Sequence, residues 1–320
     1  MKQINTFILT VIATFMGVGF VSCGDDEDDK TSIFEIEGIT AENYPKVDCS
    51  TSTSPLQALI ACKLLKIDYE WVPRYILDGV YFIHPKYEEG QSDLMYPKLQ
   101  QSGTHNSYIN LIDGNADLII AARKPSDEEA AYAASKNVML TETPIALDAF
   151  IFLVNNNNPV KNLTTRQIQD IYMARVVSWS EVGGDNKKIN PYIRNHDSGS
   201  QELMEKLVMA GLTMPDWSEA IVEGMAGPFA TVNGDENGIC YSVFYYKEQM
   251  VRANIVKAIA VDGVSPDKKN IKNKSYPYTT PVYVSIRKDL DKNSMAYKIY
   301  ELLISDAAKA VINESGYITE

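Results

Sequence analysis

The sequence has few of the side chains that hold metals. Its three histidines, His84, His105 and His196, lie far apart and show no ligand spacing. None of its four cysteines belongs to a C-x-x-C pair, which is typical of zinc sites and dithiol centres. We therefore expect neither a metal site nor a bound cofactor.

Signals of hydrolytic catalysis are also missing. The chain contains no G-x-S-x-G nucleophile motif. His196, Asp197 and Ser198 are adjacent, but a catalytic triad is assembled from residues that converge in space, so adjacency is no evidence for one. The sequence predicts a protein that is not an enzyme.

Positive charge is in deficit. Lys and Arg number 30 against 42 Asp and Glu, which gives a formal net charge of −12. So acidic a chain is poorly suited to nucleic acid or to an anionic membrane surface. A small anion can still bind, because local donors decide its affinity.

The sequence has one long apolar run, at residues 7–21 after Lys2. This run is too short for a spanning helix and is typical of a signal peptide. Its end at Ser22-Cys23 resembles a lipoprotein cleavage site. We expect a signal peptide over 1–22 and a lipidated Cys23 as the membrane contact; an ordinary signal with a chance cysteine is the alternative.

The next residues predict an anchored, extracytoplasmic protein. Five consecutive acids, at residues 25–29, repel each other, so we expect a solvated tether over 23–43. The acidic run resembles the export signal of surface lipoproteins, which leaves the periplasmic face and the outer surface both open. The remaining cysteines, Cys49, Cys62 and Cys240, permit at most one disulfide.

Residues 194–211, RNHDSGSQELMEKLVMAG, place an arginine and two hydroxyls at a predicted helix start. Ser198 and Gln201 fit a capping box, in which a side-chain oxygen accepts an N–H group of the first turn. Capping explains neither the arginine nor the Gly-Ser pair that follows Ser198. Because a helix N-terminus carries partial positive charge and spare N–H groups, the stretch also predicts an anion site.

Two further stretches repeat this pattern. Residues 50–54, Ser-Thr-Ser-Thr-Ser, precede Pro55 and a predicted helix, for which Ser54 and Gln57 predict a second capping box. Residues 102–104, Ser-Gly-Thr, precede a short helix. A plain polar loop is the alternative for the hydroxyl run.

Three such loops in one chain predict a dispersed anion site. Hydroxyls and backbone N–H groups that converge from several helix starts can replace the hydration shell of a tetrahedral oxyanion. Arg194 would add a planar, bidentate clamp with a permanent charge.

The rest of the chain alternates predicted strands and helices. Such alternation is typical of α/β layers with parallel sheets, in which ligands bind at the carboxyl ends of strands. The predicted strands are 116–122, 147–156, 188–195, 238–246 and 280–289, and the predicted helices include 163–176, with a Thr164–Gln167 capping box, and 294–313.

Over residues 44–320 the chain resembles the PstS-like phosphate-binding proteins, which are substrate-binding proteins of ABC importers in the type II periplasmic-binding superfamily. The stretches that carry the resemblance are VDCSTSTSPL (47–56), QQSGTHNS (100–107), GNADLIIAARKP (114–125), the long segment TPIALD to EVGG (143–184), RNHDSGS (194–200) and the return from VDGV to SIRK (261–288).

The resemblance implies a two-lobed α/β fold, each lobe a mostly parallel sheet flanked by helices, with the ligand in the cleft between them. Lobe 1 would comprise 44–146 and 277–320, and lobe 2 would comprise 147–276. The ligand would be inorganic phosphate or a similar oxyanion, the partner an ABC permease, and the protein a monomer. The predicted oxyanion-binding residues are Ser50, Thr51, Ser52, Ser102, Gly103, Thr104, Arg194, His196, Ser198, Gly199 and Ser200.

Two departures from the family leave the anion open. Ala122 and His196 stand where the family commonly has acceptor side chains. A carboxylate there accepts the proton of hydrogen phosphate and repels sulfate, so phosphate and sulfate both remain candidates. A surface-anchored sensor or adhesin with the same fold is the alternative function. The Tyr- and Trp-containing stretch 66–99 could be a lid, a partner surface or ordinary core.

Overall fold

The computed structural model describes residues 33–73 and 79–320. The predicted signal peptide at 1–22, the predicted lipidation site Cys23 and the first part of the tether lie outside these residues. Residues 33–43 of the predicted tether belong to the folded body, because Phe34, Ile36 and Ile39 pack against the main core. The folded body therefore begins before residue 44, the predicted boundary.

The strands are short, with the exception of β5 and β13. They are β1 (Val47–Cys49), β2 (Tyr69–Pro73), β3 (Tyr81–Pro85), β4 (Leu118–Ala121), β5 (Leu140–Asn155), β6 (Asn162–Leu163), β7 (Asn190–Pro191), β8 (Ile193–Arg194), β9 (Ile221–Val222), β10 (Gly238–Val243), β11 (Val256–Ala258), β12 (Ala260–Val261) and β13 (Thr279–Arg287).

Helices alternate with these strands along the chain. They are α1 (Ser54–Leu65), α2 (Gln91–Met95), α3 (Thr104–Asp113), α4 (Asp127–Ser135), α5 (Thr165–Tyr172), α6 (Gly199–Leu203), α7 (Gly227–Gly234), α8 (Lys268–Lys272), α9 (Met295–Leu303) and α10 (Ala308–Ser315). Turns of π-helix follow α6 at Met204–Met209 and precede β11 at Tyr246–Val251.

The main sheet has the strand order β1-β4-β13-β5-β10-β7, and β11 also pairs with β5. Parallel pairs lie at the two ends, β1 with β4 and β10 with β7. The pairs in the middle, which involve β13 and β5, are antiparallel. The α/β class predicted from the alternation is confirmed, with parallel pairing in the parts of the sheet that carry the hydroxyl loops.

Strand β5 belongs to both parts of this sheet. Its residues 140–149 pair with β13, and residues 150–154 pair with β10. The segment Phe150–Val154 is fully buried, as expected for a strand covered on both faces. Helix α3 packs on β1 and β4, while α7 packs on β5 and β10.

The predicted helices and their capping boxes agree only in part with the structure. The predicted helix 294–313 is two helices, α9 and α10, with a break between them. The Thr164–Gln167 capping box is confirmed. The predicted Ser54–Gln57 box is wrong, because the Gln57 amide donates instead to the carbonyl oxygens of Val47 and Gln100, at 2.8 and 3.0 Å.

The stretch 66–99 packs on the body. Val80, Ile83 and Met95 are buried in the main core. Trp71 and Tyr81, on the β2–β3 hairpin, hold the Arg252 guanidinium at 4.4 and 4.7 Å from their ring centroids. This stretch is therefore partly core, and its hairpin contacts a segment distant in sequence.

The part of the chain that the structure describes contains no helix with the length and apolarity needed to cross a bilayer. Cys49, Cys62 and Cys240 are buried free thiols. Burial raises the pKa of the Cys240 thiol to about 12, so it stays protonated at neutral pH.

Candidate functional site

A cavity of about 290 Å³ lies where the three hydroxyl loops meet. Ten of the eleven predicted oxyanion-binding residues line it, and His196 does not. The lining residues are Ser50, Thr51, Ser52, Ser102, Gly103, Thr104, Asn106, Ala122, Arg194, Asn195, Asp197, Ser198, Gly199, Ser200, Leu203, Gly224, Met225 and Val243.

The strands explain why these residues converge. Loop residues 50–53 follow the carboxyl end of β1, and Ala122 follows its parallel neighbour β4. Arg194 is the last residue of β8, whose parallel neighbour β9 leads to Met225. Val243 ends β10. The site therefore lies at the carboxyl ends of strands, the edge at which α/β sheets bind ligands.

The first loop divides its hydroxyls between structure and cavity. The Ser50 hydroxyl accepts the N–H of Ala122 at 3.0 Å and lies 2.8 Å from the Thr104 hydroxyl, so it ties the first loop to the second. Within the described residues, no hydrogen bond uses the hydroxyls of Thr51 or Ser52, both of which line the cavity. These two hydroxyls remain available to a ligand.

Asp48 holds the second loop in place. Its Oδ1 accepts the N–H of Ser102 at 2.9 Å, and its Oδ2 accepts the Asn110 amide at 2.7 Å. The same amide lies 3.3 Å from the Ser102 hydroxyl. Gly103 has a φ of 85°, which lets the chain turn into α3, and Thr104 and Asn106 in the first turn of that helix line the cavity.

Arg194 is a buried cation that has no carboxylate partner among the described residues. Its side chain is 3% exposed, and its Nε donates to the Val222 carbonyl at 2.8 Å. Among the described residues, no carboxylate lies within ion-pair distance of the Arg194 guanidinium. Burial lowers the pKa of Arg194, because desolvation disfavours the charged form. A buried charge of this kind is stabilised when an anion pairs with it.

Gln201 fixes the backbone of Arg194. Its Oε1 accepts the Arg194 N–H at 3.1 Å and also the Tyr241 hydroxyl. Ser198 is the N-cap of α6 and accepts the N–H of Ser200 at 3.3 Å, but the predicted Ser198–Gln201 capping box is wrong because Gln201 is used on the arginine. The third loop is therefore positioned by a side chain that the sequence pattern assigned to capping.

Gly199 brings the third loop against the second. A Cβ atom at this position would lie 2.5 Å from the Thr104 hydroxyl oxygen, so only glycine permits this approach. Residues from opposite sides of the cavity are thus in contact, and the hydroxyls of both loops face the same space.

His196 does not face the cavity, which corrects its predicted role. Its side chain is 72% exposed, with Nδ1 3.3 Å from Asp197 and Nε2 3.9 Å from Glu128. The hydrogen bond to Asp197 and the charges of Glu128 and Glu205 raise the pKa of His196. His196 instead lies among acidic side chains outside the cavity.

The sequence reasoning missed two residues that position the loops and a methionine that contacts Arg194. Asp48 and Gln201 position the loops, and the Met225 sulfur lies 3.6 Å from Arg194 Nη1. A signal for Asp48 was present, because a carboxylate inside a buried strand needs donors nearby. Nothing in the local sequence indicates Met225, which is 31 positions from Arg194.

Known proteins share sequence similarity with this chain. A sequence model of the PBP superfamily domain matches residues 80–315. The phosphate-binding protein PstS of Staphylococcus epidermidis is 28% identical over 225 residues, which cover 68% of this chain and 68% of the relative. The phosphate-binding protein PstS of Pseudomonas aeruginosa is 28% identical over 245 residues, which cover 70% and 75%.

Solved structures share the fold. A Clostridium perfringens protein with bound phosphate has a TM-score of 0.63 and 24% identity, covering 86% of this chain and 99% of its own. An ABC-type phosphate transport receptor from Vibrio cholerae has a TM-score of 0.62 and 23% identity, covering 86% and 100%. These matches confirm the resemblance and the fold class predicted from the sequence.

Proposed function

This chain belongs to the PBP superfamily, and we propose that it captures a tetrahedral oxyanion, foremost inorganic phosphate, for an ABC importer. The observation that carries the proposal is Arg194, a buried guanidinium that lines the cavity and has no carboxylate partner among the described residues. An oxyanion would supply the missing charge and would accept the hydroxyls of Thr51 and Ser52.

The size and lining of the cavity support a small anion. A cavity of about 290 Å³ is at or below the lower end of the range for drug-sized ligands, about 300–1,000 Å³, and suits a small ion with a few waters. Its donors come from three loops, a geometry that can surround four tetrahedral oxygens. Asp197 is the one carboxylate among the described lining residues, so most of the cavity surface favours negative charge.

Binding without turnover is part of the proposal. No histidine lines the cavity in the described part of the chain, so its hydroxyls have no imidazole base. The named relatives are phosphate-binding proteins, and one structural neighbour is named as a phosphate transport receptor. From these relatives we infer that this chain delivers its anion to a permease.

The anchor and the cellular location belong to the same proposal. The apolar run that ends at Ser22-Cys23 supports an extracytoplasmic lipoprotein held to the membrane through Cys23, and the acidic residues 25–29 support a solvated link to the body. We propose that the body acts as a monomer with two lobes. One lobe comprises residues 44–146 and 277–320, and the other comprises residues 147–276. Membrane fractionation of the Cys23→Ala protein tests the anchor, since loss of the lipid would release the protein.

Calorimetry of the Arg194 variants tests the function. Arg194→Ala should weaken binding of inorganic phosphate by about 30-fold to 5,000-fold, because truncating one partner of a buried charge pair costs about 2–5 kcal/mol. Arg194→Lys should recover part of this loss, since an ammonium lacks the bidentate fork. Sulfate, molybdate and vanadate, measured in the same way, decide which anion binds most tightly.

A matched control keeps the result specific. Arg166 is an exposed arginine on α5, paired with Asp170 at 2.8 Å and absent from the cavity lining. Arg166→Ala should leave phosphate affinity unchanged. If Arg194→Ala binds within threefold of the unmodified protein, the anion-binding role of this cavity is wrong.

A further inference from the structure

A methionine sulfur contacts two hydrogen-bond donors of the proposed anion site. Met225 lies in the turn between β9 and α7, after Val222, which already binds Arg194. Its Sδ atom is 3.6 Å from Arg194 Nη1 and 3.9 Å from the Ser200 hydroxyl oxygen. The side chain is partly exposed and lines the cavity.

The thioether is a weak acceptor, so these contacts hold the two donors without satisfying them. Sulfur accepts hydrogen bonds poorly compared with a charged oxygen. An incoming oxyanion can therefore displace Met225 at small cost. A stronger acceptor at the end of the same side chain would compete with the anion much more effectively.

We propose that Met225 is an oxidation site that switches off anion capture, an inference that rests on the proposed function of the cavity. Oxidation gives the sulfoxide, whose oxygen is a strong acceptor directed at Arg194 and Ser200. This oxygen would take the position of a ligand oxygen. Oxidation would also make this apolar side chain polar and chiral at sulfur, beside the third loop.

The chemistry needs a peroxide and leaves water. The sulfur lone pair attacks one peroxide oxygen, an S–O bond forms and the O–O bond breaks. Sulfur loses two electrons to the peroxide, and the hydroxyl now bound to sulfur gives its proton to the released hydroxide, which leaves the sulfoxide and water. Methionine sulfoxide is reduced again by the Msr enzymes, so the switch is reversible.

Accessibility selects Met225 among the methionines near the cavity. Met204 lies in the turn after α6 and is fully buried. Met139, just before β5, is 64% exposed but is absent from the cavity lining, which makes it a reactive control site. A loss of binding that follows oxidation of Met225, and not of Met139, would therefore identify the switch.

The experiment compares phosphate affinity before and after hydrogen peroxide. The protein, Met225→Leu and Met139→Leu are each titrated with inorganic phosphate by calorimetry, and peptide mass spectrometry measures the sulfoxide at each methionine. We expect peroxide to raise the Kd about tenfold or more in the unmodified protein and in Met139→Leu. The ratio of the two Kd values should stay near one in Met225→Leu, and methionine sulfoxide reductase should restore the unmodified protein.

Three results would overturn the proposal. The first is complete oxidation of Met225 with a Kd change below threefold. The second is oxidation of Met139 under conditions that leave Met225 unoxidised. The third is an equal loss of affinity in Met225→Leu. Absence of oxyanion binding before peroxide is a separate outcome, because it contradicts the proposed function itself.

Discussion

Asp148 is a buried carboxyl group at the point where β5 passes from one part of the main sheet to the other. Its Oδ1 accepts the N–H groups of Ala149 and Tyr245, at 2.7 and 2.9 Å, while its Oδ2 is buried without a partner. Burial raises the pKa of Asp148 to about 7, because the desolvation of the carboxylate outweighs the two N–H bonds that favour it.

This raised pKa makes the stability fall as the pH rises. The protonated carboxyl contributes stability that is fully present below about pH 4, the ordinary pKa of Asp, and is lost as the pH rises through about 7. The shift of about three units corresponds to roughly 4 kcal/mol between those limits. We expect Asp148→Asn, which mimics the protonated form, to remove this decline from the free energy of unfolding.

Urea unfolding at pH 4.5, 6 and 8 measures the effect. The unmodified protein should lose stability across this series more steeply than the Asn variant. Asp170, a partly buried carboxylate already paired with Arg166, provides the control, since Asp170→Asn should leave the Asp148 decline in place. Parallel pH profiles for the unmodified protein and Asp148→Asn would contradict the assignment.

At the scale of elements, the second loop and α3 depend on Asp48. The carboxylate binds the Ser102 N–H and the Asn110 amide, so it joins the loop to the first turns of the helix. Asp48→Ala would leave both groups without this acceptor, at a cost of about 1–3 kcal/mol each when they stay buried. We expect a lower urea midpoint and a phosphate Kd about tenfold higher, because the loop loses its position.

The other end of the same helix supplies the control. Asp113 accepts the Tyr132 hydroxyl at 2.9 Å at the last residue of α3, away from the cavity. Asp113→Ala should lower stability slightly without changing phosphate affinity. Equal affinities for Asp48→Ala and the unmodified protein would show that the second loop keeps its position without the carboxylate.

Helix starts and hydroxyl runs were predictable, because both are local properties of the sequence. The partners of polar side chains were not. Ser102 is 54 positions from Asp48, and Gln57 is 43 positions from the carbonyl of Gln100. A capping box joins atoms that are close in sequence, so the local pattern predicts one at Gln57 and at Gln201. In the structure both glutamines instead bind groups that are distant in sequence. His196 also failed as a prediction, because its partners Glu128 and Asp197 hold it outside the cavity and Glu128 is distant in sequence.

At the scale of the whole molecule, the two predicted lobes already touch beside the cavity. Lys206, in the π-helical turn after α6, lies 3.2 Å from Asp127 at the start of α4. Gly199 touches Thr104 nearby. These residues belong to the two different predicted lobes. Because donors from both lobes line the cavity, an anion that bridges them should draw the lobes closer, and we expect small-angle scattering to show a smaller radius of gyration after phosphate is added.

The ion pair should contribute little to this closure. Asp127 is 97% exposed and Lys206 is 46% exposed, and exposed pairs contribute about 0–1 kcal/mol. Lys206→Ala should therefore raise the phosphate Kd by no more than about fivefold, with the difference disappearing at high salt. A radius of gyration that stays constant during measured binding would indicate a rigid cavity.

Strand order has a consequence for the timing of folding. β13 lies between β4 and β5 in the sheet, although it is the last strand to be synthesised. A growing chain that ends before residue 279 would leave two hydrophobic strand edges exposed, and its sheet would have to wait for long-range pairing across more than a hundred residues. The main sheet is thus completed only after nearly the whole chain is available, so β4 and β5 lack their shared neighbour for most of synthesis.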